Sequence, residues 1–164
     1  MKQYDLIIVG AGPAGLTAAV YARRAGKSVL VLEKDTFGGQ ITFSPKLEIY
    51  PGFSEISGNE LAQRMLEQAL ALGADIDLDT VLHVAGGELK TLTGENAVYH
   101  ARSVIIASGA KHRRLGLPDE ERFIGNGISF CAVCDGAFYK GQHVALVGGG
   151  NSALQEAVLL IESC

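Results

Sequence analysis

The sequence predicts an α/β protein: a doubly wound, largely parallel sheet with a small antiparallel insertion, followed by the opening βα unit of a second fold of the same kind. Three observations carry this. Residues 4–9 are almost wholly apolar and lead into a glycine-rich turn, a helical stretch and a second apolar run, a complete βαβ unit in about 30 residues. Glycine, at 21 of 164 residues, is about twice as frequent as usual and follows no collagen-like period, which assigns it to tight turns and ligand-facing backbone. The opening also recurs. Aligning residues 5–20 with residues 143–158 matches Val9, Gly10, Gly12, Leu16, Ala19 and Val20 with Val147, Gly148, Gly150, Leu154, Ala157 and Val158.

Taken in order, residues 4–9 are rich in β-branched side chains, as expected of a strand covered on both faces. Residues 16–25 have helical composition, and Gly26 supplies the stop. Residues 27–33 form the second strand. Residues 59–72 bring Leu61, Met65, Leu66, Ala69 and Leu72 onto one helical face, with Gly73 after them. Residues 74–101 alternate and carry turn signals at Gly86-Gly87 and at Gly94 to Asn96, predicting short antiparallel strands. Residues 101–107 predict another buried strand ending in Ser108-Gly109. Residues 111–126 are polar, contain Gly116 and Pro118, and read as a crossing between domains. A strand over residues 144–147, a turn and a helix close the chain. The expected division is residues 1–113 for the first domain and 114–164 for the start of the second.

Composition narrows the function. Hydrophobic residues make up 48% and charged residues 20%, enough apolar content for a core and too much for global disorder. A net charge of -4 argues against recognition of nucleic-acid phosphates, which needs a clustered positive surface. Lys2 and the apolar stretch after it superficially resemble a signal peptide, but Asp5 and the glycine–proline interruption argue against one. No uninterrupted run of about 18 apolar residues exists, so no membrane span is expected, and the working compartment is the cytoplasm. Two of the three cysteines are spaced C-x-x-C, which in a reducing compartment points to redox or metal chemistry.

Gly10-Ala-Gly-Pro-Ala-Gly15 follows a strand and opens a helix, and Glu33 ends the next strand, the context a Rossmann-like dinucleotide site demands. Gly10 permits the tight turn, Gly12 lets backbone N–H groups approach a pyrophosphate, and Gly15 lets the helix pack close. Pro13 and Ala14 complete the turn. A pyrophosphate there lies at the positive end of the helix dipole. Glu33 suits a ribose hydroxyl and repels a 2′-phosphate, so the site fits FAD or NAD and disfavours NADP. Gly148, Gly150, Asn151 and Ser152 repeat the device, but the following strand that would select NADPH or NADH is not in the sequence.

Cys131-Ala-Val-Cys134 is the reactive candidate: two thiols at this spacing close a disulfide at a helix start and supply thiolate for exchange. Zinc would need a second ligand pair, and His143 is the only histidine nearby, so no metal is expected. Asp135 is the natural proton donor or acceptor for the dithiol, and equally a cap for the following turn. His112-Arg113-Arg114 reads as a solvated linker.

These segments, together with Gly38-Gly-Gln-Ile41, Tyr50-Pro-Gly52, Ala107-Ser-Gly109, Leu115-Gly-Leu-Pro118 and Cys131 to Gly136, stand in the order seen in low-molecular-weight thioredoxin reductases. The resemblance covers essentially the whole chain. It implies that the first domain binds FAD and the second a nicotinamide, NADPH with NADH as the alternative. Electrons would pass from nicotinamide to flavin to the cysteine pair to the disulfide of thioredoxin or a thioredoxin-like protein. It further implies that Cys134 lies against the flavin, Cys131 attacks the partner's disulfide, and Asp135 serves as acid and base. Gly38, Gly39, Gln40 and Ile41 would line the flavin, Ser108 and Gly109 would close over the FAD, and the protein would be a homodimer.

The sequence departs from the family pattern in two ways. Ile49 stands where an asparagine usually precedes the Tyr-Pro-Gly turn, which leaves room for another reductant, ferredoxin or reduced flavin, or for a small dithiol substrate. The family's FAD domain is completed by a later segment, so half of each nucleotide site is expected here and the chain alone should not turn over. A non-catalytic flavin-binding module is the alternative from another class.

Overall fold

The computed structural model describes residues 3–162 and residue 164. Its chain divides into two compact units, one reaching to Pro45 and resuming over Ile56–Lys111, the other comprising Lys46–Glu55 and His112–Cys164. In the first, two apolar runs become the parallel strands β1 (Gln3–Val9) and β2 (Val29–Glu33), and an alternating segment joins them as a third parallel strand, β3 (Asp75–Leu78). Helices α1 (Pro13–Arg24) and α2 (Gly58–Ala71) supply the long crossovers that parallel pairing requires. β4 (Val81–Ala85), β5 (Lys90–Gly94) and β6 (Val98–Ile106) run antiparallel, and β6 returns parallel to β1. The spatial order is β3-β2-β1-β6-β5-β4. The chain therefore reverses its direction of winding beside β1, where open α/β sheets bind ligands at the carboxyl ends of their strands.

Alternation along the strands explains why both sheet faces are apolar. Ile8, Val29 and Val31 join Leu16 and Ala19 of α1 and Ala69 of α2 in one cluster. Ile7, Leu30 and Leu32 point the other way and meet Tyr4, Leu92 of β5 and Ala101 of β6. Ile7, Ile8, Leu16 and Leu32 are essentially inaccessible, each contributing about 1.5–3 kcal/mol by burial. Ser57 caps α2 by accepting the Glu60 N–H at 3.1 Å, and Glu60 in turn pairs with Arg64 one turn on.

Asp79, at the bend between β3 and β4, is buried and ties the meander together. Its carboxylate accepts the Tyr99 hydroxyl at 2.9 Å and the backbone N–H groups of Asn96 and Ala97 at 3.2 and 3.3 Å. A Cβ on Gly94 would lie 2.1 Å from its Oδ2, so glycine makes the room. Burial pushes the Asp79 carboxyl up, but the hydrogen bonds from Tyr99 and the Asn96–Ala97 backbone outweigh it and hold it below its usual value. Burial and the same contact push Tyr99 up to about 12. Stability from this contact is therefore complete between about pH 4 and 10, lost as pH falls through the depressed carboxyl value, and lost again as pH rises toward the tyrosine's. Asp79→Ala should cost about 2–3 kcal/mol by leaving buried donors unpaired, and Asp79→Asn should flatten the acid limb of stability against pH, both read by urea unfolding.

The second unit contains α3 (Glu120–Phe123), α4 (Ala132–Asp135), a 3-10 turn over Gly136–Tyr139, and α5 (Asn151–Ile161). Glu120 is buried and accepts the N–H groups of Leu115, Gly116 and Leu117 at 2.9, 2.8 and 3.3 Å, which hold its carboxyl below the usual range. The polar crossing is thus an ordered turn built on one carboxylate. His112 and Arg114 are likewise not merely solvated: the imidazole stacks on Phe130 at 4.5 Å, and the guanidinium lies 5.3 Å from the same ring.

Three expectations need correction. β3 pairs with β2 in parallel, not as part of the antiparallel set, because α2 carries the chain back across the sheet before β3 begins. β6 starts earlier than the apolar run and is not buried along its length: Ala101 is inaccessible, whereas Ile106 is 61% exposed. Residues 144–147 form no strand. A strand is defined by ladder bonds to a neighbour, and among the described residues no segment pairs with this one, so Val144, Leu146 and Val147 are exposed. Among the described residues no helix is long and apolar enough to cross a membrane.

Candidate active site

The first site grows from the end of β1. Gly10 has φ +107, and a Cβ there would lie 2.4 Å from the Ala107 carbonyl oxygen at the end of β6. Gly15 permits a different approach: its Cβ would lie 1.9 Å from the Gly10 carbonyl oxygen. Gly12 meets nothing within 4 Å. The three glycines therefore do separate jobs, two of them packing and one facing open space. No side chain caps α1. Pro13 has no N–H, so Ala14 and Gly15 present the first-turn donors that a helix leaves for an anion. This cradle, open at Gly12 and lined with backbone N–H groups, fits a dinucleotide pyrophosphate.

Glu33 stands where the sequence places it and is buried at the end of β2. One oxygen accepts the Ala11 N–H at 2.8 Å; the other accepts those of Lys34 and Asp35 at 2.9 and 3.0 Å. These bonds fix the carboxylate against the glycine turn, fill both acceptor sites of Oε1 and leave one on Oε2 for a ribose hydroxyl. Gly38, also at positive φ, donates its N–H to the Ala11 carbonyl at 2.8 Å, and a Cβ on Gly39 would lie 3.6 Å from Gly12 Cα. The segment from Gly38 to Ile41 is thus brought beside the cradle. Gln40 reaches the Ala110 carbonyl, just past the exposed Ser108 and Gly109. Gly58 was missed by sequence reasoning: its Cβ would lie 1.8 Å from the Ile41 carbonyl, so this glycine lets α2 seat the loop.

The second unit holds the cysteine pair. Cys131 and Cys134 form a disulfide with Cα atoms 5.3 Å apart, and Cys131 is the N-cap of α4, its Sγ accepting the Cys134 N–H at 3.2 Å. Both cysteines are half-buried. Asp135 does not cap the following turn. Its Oδ2 accepts the Ser129 hydroxyl at 2.5 Å, and its Oδ1 is buried without a hydrogen-bond partner among the described residues. From α5, Glu156 accepts the Ala132 N–H at 3.4 Å. In the same unit, Gly148 has φ +148, and neither Gly149 nor Gly150 has an atom within 4 Å of an added Cβ. Asn151 and Ser152 open α5, which no side chain caps. The turn is a phosphate cradle in outline, without a paired strand beneath it.

Residues 4–163 match the family model described as pyridine nucleotide-disulphide oxidoreductase. Over 160 residues the chain is 48% identical to the thioredoxin reductase of Bacillus subtilis, matching 97% of this chain and 51% of that protein. The thioredoxin reductase of Listeria monocytogenes is 47% identical over 160 residues, 97% of this chain and 50% of that protein. The crystal structure of thioredoxin reductase from Streptococcus pyogenes superimposes with a TM-score of 0.93 at 44% identity, covering 98% of this chain and 53% of that one. The chain spans about half the length of the curated relatives it matches.

Proposed function

Since this chain belongs to the pyridine nucleotide-disulphide oxidoreductase family, we propose that it forms the N-terminal half of a thioredoxin reductase, a flavoprotein that takes electrons from NADPH and delivers them to the disulfide of thioredoxin or a thioredoxin-like protein. In this reading residues 1–113 belong to the FAD-binding domain and residues 114–164 begin the nicotinamide domain. The protein works in the cytoplasm as a homodimer. The observation that carries the proposal is the Cys131–Cys134 disulfide, with the carboxylate of Asp135 held next in the chain.

Gly10, Gly12, Ala14 and Gly15 would hold the FAD pyrophosphate, with Glu33 on the ribose and Gly38 to Ile41, Ser108 and Gly109 around the remainder. Gly148, Gly150, Asn151 and Ser152 would begin the nicotinamide site. When bound, FAD supplies the two-electron carrier that links a nicotinamide to the cysteine pair. The protein's own chemistry is thiol–disulfide exchange. In the reduced pair, Cys131 gives its proton to Asp135 and its thiolate bonds to one sulfur of the incoming disulfide. The other sulfur leaves as a thiolate and takes that proton back. Cys134 then loses its proton by the same route and attacks Cys131 Sγ, so the second substrate sulfur departs as a thiol. The dithiol is oxidised by two electrons and the substrate disulfide is reduced to two thiols. The Cys134 N–H on Cys131 Sγ favours charge on the attacking sulfur.

Anaerobic incubation of the FAD-loaded full-length protein that includes this chain as its N-terminal half, with NADPH and oxidised thioredoxin, should form one thioredoxin dithiol for each NADPH consumed, measured as free thiol. Ile49, exposed in the segment before Tyr50, favours one second reading, a donor other than NADPH. Reduced ferredoxin supporting thiol formation where NADPH does not would establish that reading and overturn NADPH as the donor.

A further inference from the structure

Ser129 lies two residues before the disulfide's first cysteine, and its hydroxyl joins three atoms of the motif. It accepts the Cys131 N–H at 3.1 Å and lies 2.5 Å from Asp135 Oδ2 and 3.3 Å from the Cys131 carbonyl oxygen. A hydroxyl has one proton to give, and the shorter, charge-assisted contact takes it. The Asp135 N–H in turn donates to the Cys131 carbonyl at 3.0 Å, so serine, cysteine and aspartate close a ring of hydrogen bonds around α4. That ring occupies Oδ2 and leaves Oδ1 buried and unpartnered among the described residues. A buried carboxylate oxygen without a donor is costly, and in native structures it calls for a reason such as catalysis.

We infer that Ser129 is a positioning residue for thiol–disulfide exchange: it clamps the Asp135 carboxyl through Oδ2, so that Oδ1 is the oxygen that takes and returns the cysteine proton. The inference rests on the acid/base role proposed above for Asp135. Phe130, between Ser129 and Cys131, is held by His112 and Arg114 on its ring, which fixes the backbone that presents the hydroxyl. Glu156 of α5 also approaches the motif and is engaged with the Ala132 N–H. Ser129 is therefore the side chain that orients Asp135.

The test is single-turnover exchange between the chemically pre-reduced protein and oxidised thioredoxin, which needs no bound cofactor. A positioned acid/base is worth roughly 10²–10⁴-fold, so Asp135→Asn should lose about that much. Ser129→Ala should slow the maximal rate about tenfold while half-saturation by thioredoxin stays unchanged, and Ser129→Thr should restore it. In the Asp135→Asn background, Ser129→Ala should cause no further loss, because the hydroxyl then has no acid to position. Should Ser129→Ala unfold, the near-isosteric pair Ser129→Thr and Ser129→Val carries the comparison: activity retained by threonine and lost by valine supports the clamp. A rate unchanged by Asp135→Asn would overturn the acid/base reading and the clamp with it. Loss in Asp135→Asn with wild-type rates in Ser129→Ala, or losses that multiply in the double variant, would overturn the clamp alone.

Discussion

Cys131→Ser should abolish disulfide reduction, with turnover falling on the order of 10⁴–10⁶-fold, the scale seen when an enzyme loses its nucleophile. Serine cannot form the Cys131–Cys134 bond, and its hydroxyl, unlike a thiol, is scarcely ionised near neutral pH. The fold should be unaffected, because Cys131 is half-buried and its short loop crosses only the start of α4. Cys134→Ser should be equally inactive in turnover but should retain the first exchange step, leaving Cys131 joined to the partner. Thiol release from thioredoxin under NADPH separates the two from wild type. Unchanged thiol release by Cys131→Ser would mean that the pair is only structural.

The second large effect separates the two kinds of glycine in the first nucleotide turn. Gly15→Ala places a methyl carbon 1.9 Å from the Gly10 carbonyl oxygen, which is backbone and cannot rotate aside. The helix or the turn must move, at a cost of about 2–3 kcal/mol. Gly12→Ala meets open space and a backbone conformation, φ -72 and ψ 179, that any residue adopts. It should leave the midpoint of thermal unfolding unchanged without ligand and weaken FAD binding at least tenfold, about 1.4 kcal/mol. Both are read from one experiment, thermal melts with and without FAD. If Gly12→Ala bound FAD as wild type, the pyrophosphate would not lie at this turn.

Much of the first unit was legible because its signals are local. The apolar runs of β1 and β2, the glycine spacing between them and Glu33 after them lie within one βαβ unit, and Gly10 and Gly15 show the turn and the close packing that their positions imply. The parallel pairing of β3 was not legible, because a four-residue strand with alternating pattern, Asp75 to Leu78, looks the same in either direction; only the preceding helix decides. Residues 144–147 carry strand-forming side chains, but ladder bonds depend on a neighbour that composition does not reveal. At the candidate site, Cys131, Cys134 and Asp135 were visible from spacing. Ser129 was not, because its bond to Asp135 joins residues six apart, from before α4 to its last residue, a separation that no periodicity marks. Glu120 was hidden for the same reason: it faces backbone N–H groups, which every sequence has.

Everything above turns on Cys131 being the sulfur that meets the substrate disulfide. Mixing Cys134→Ser with oxidised thioredoxin and measuring the intact mass and the linked peptides tests it directly. A stable mixed disulfide through Cys131, released by added thiol and absent from Cys131→Ser, is expected. No adduct, or one attached through Cys164, would contradict it.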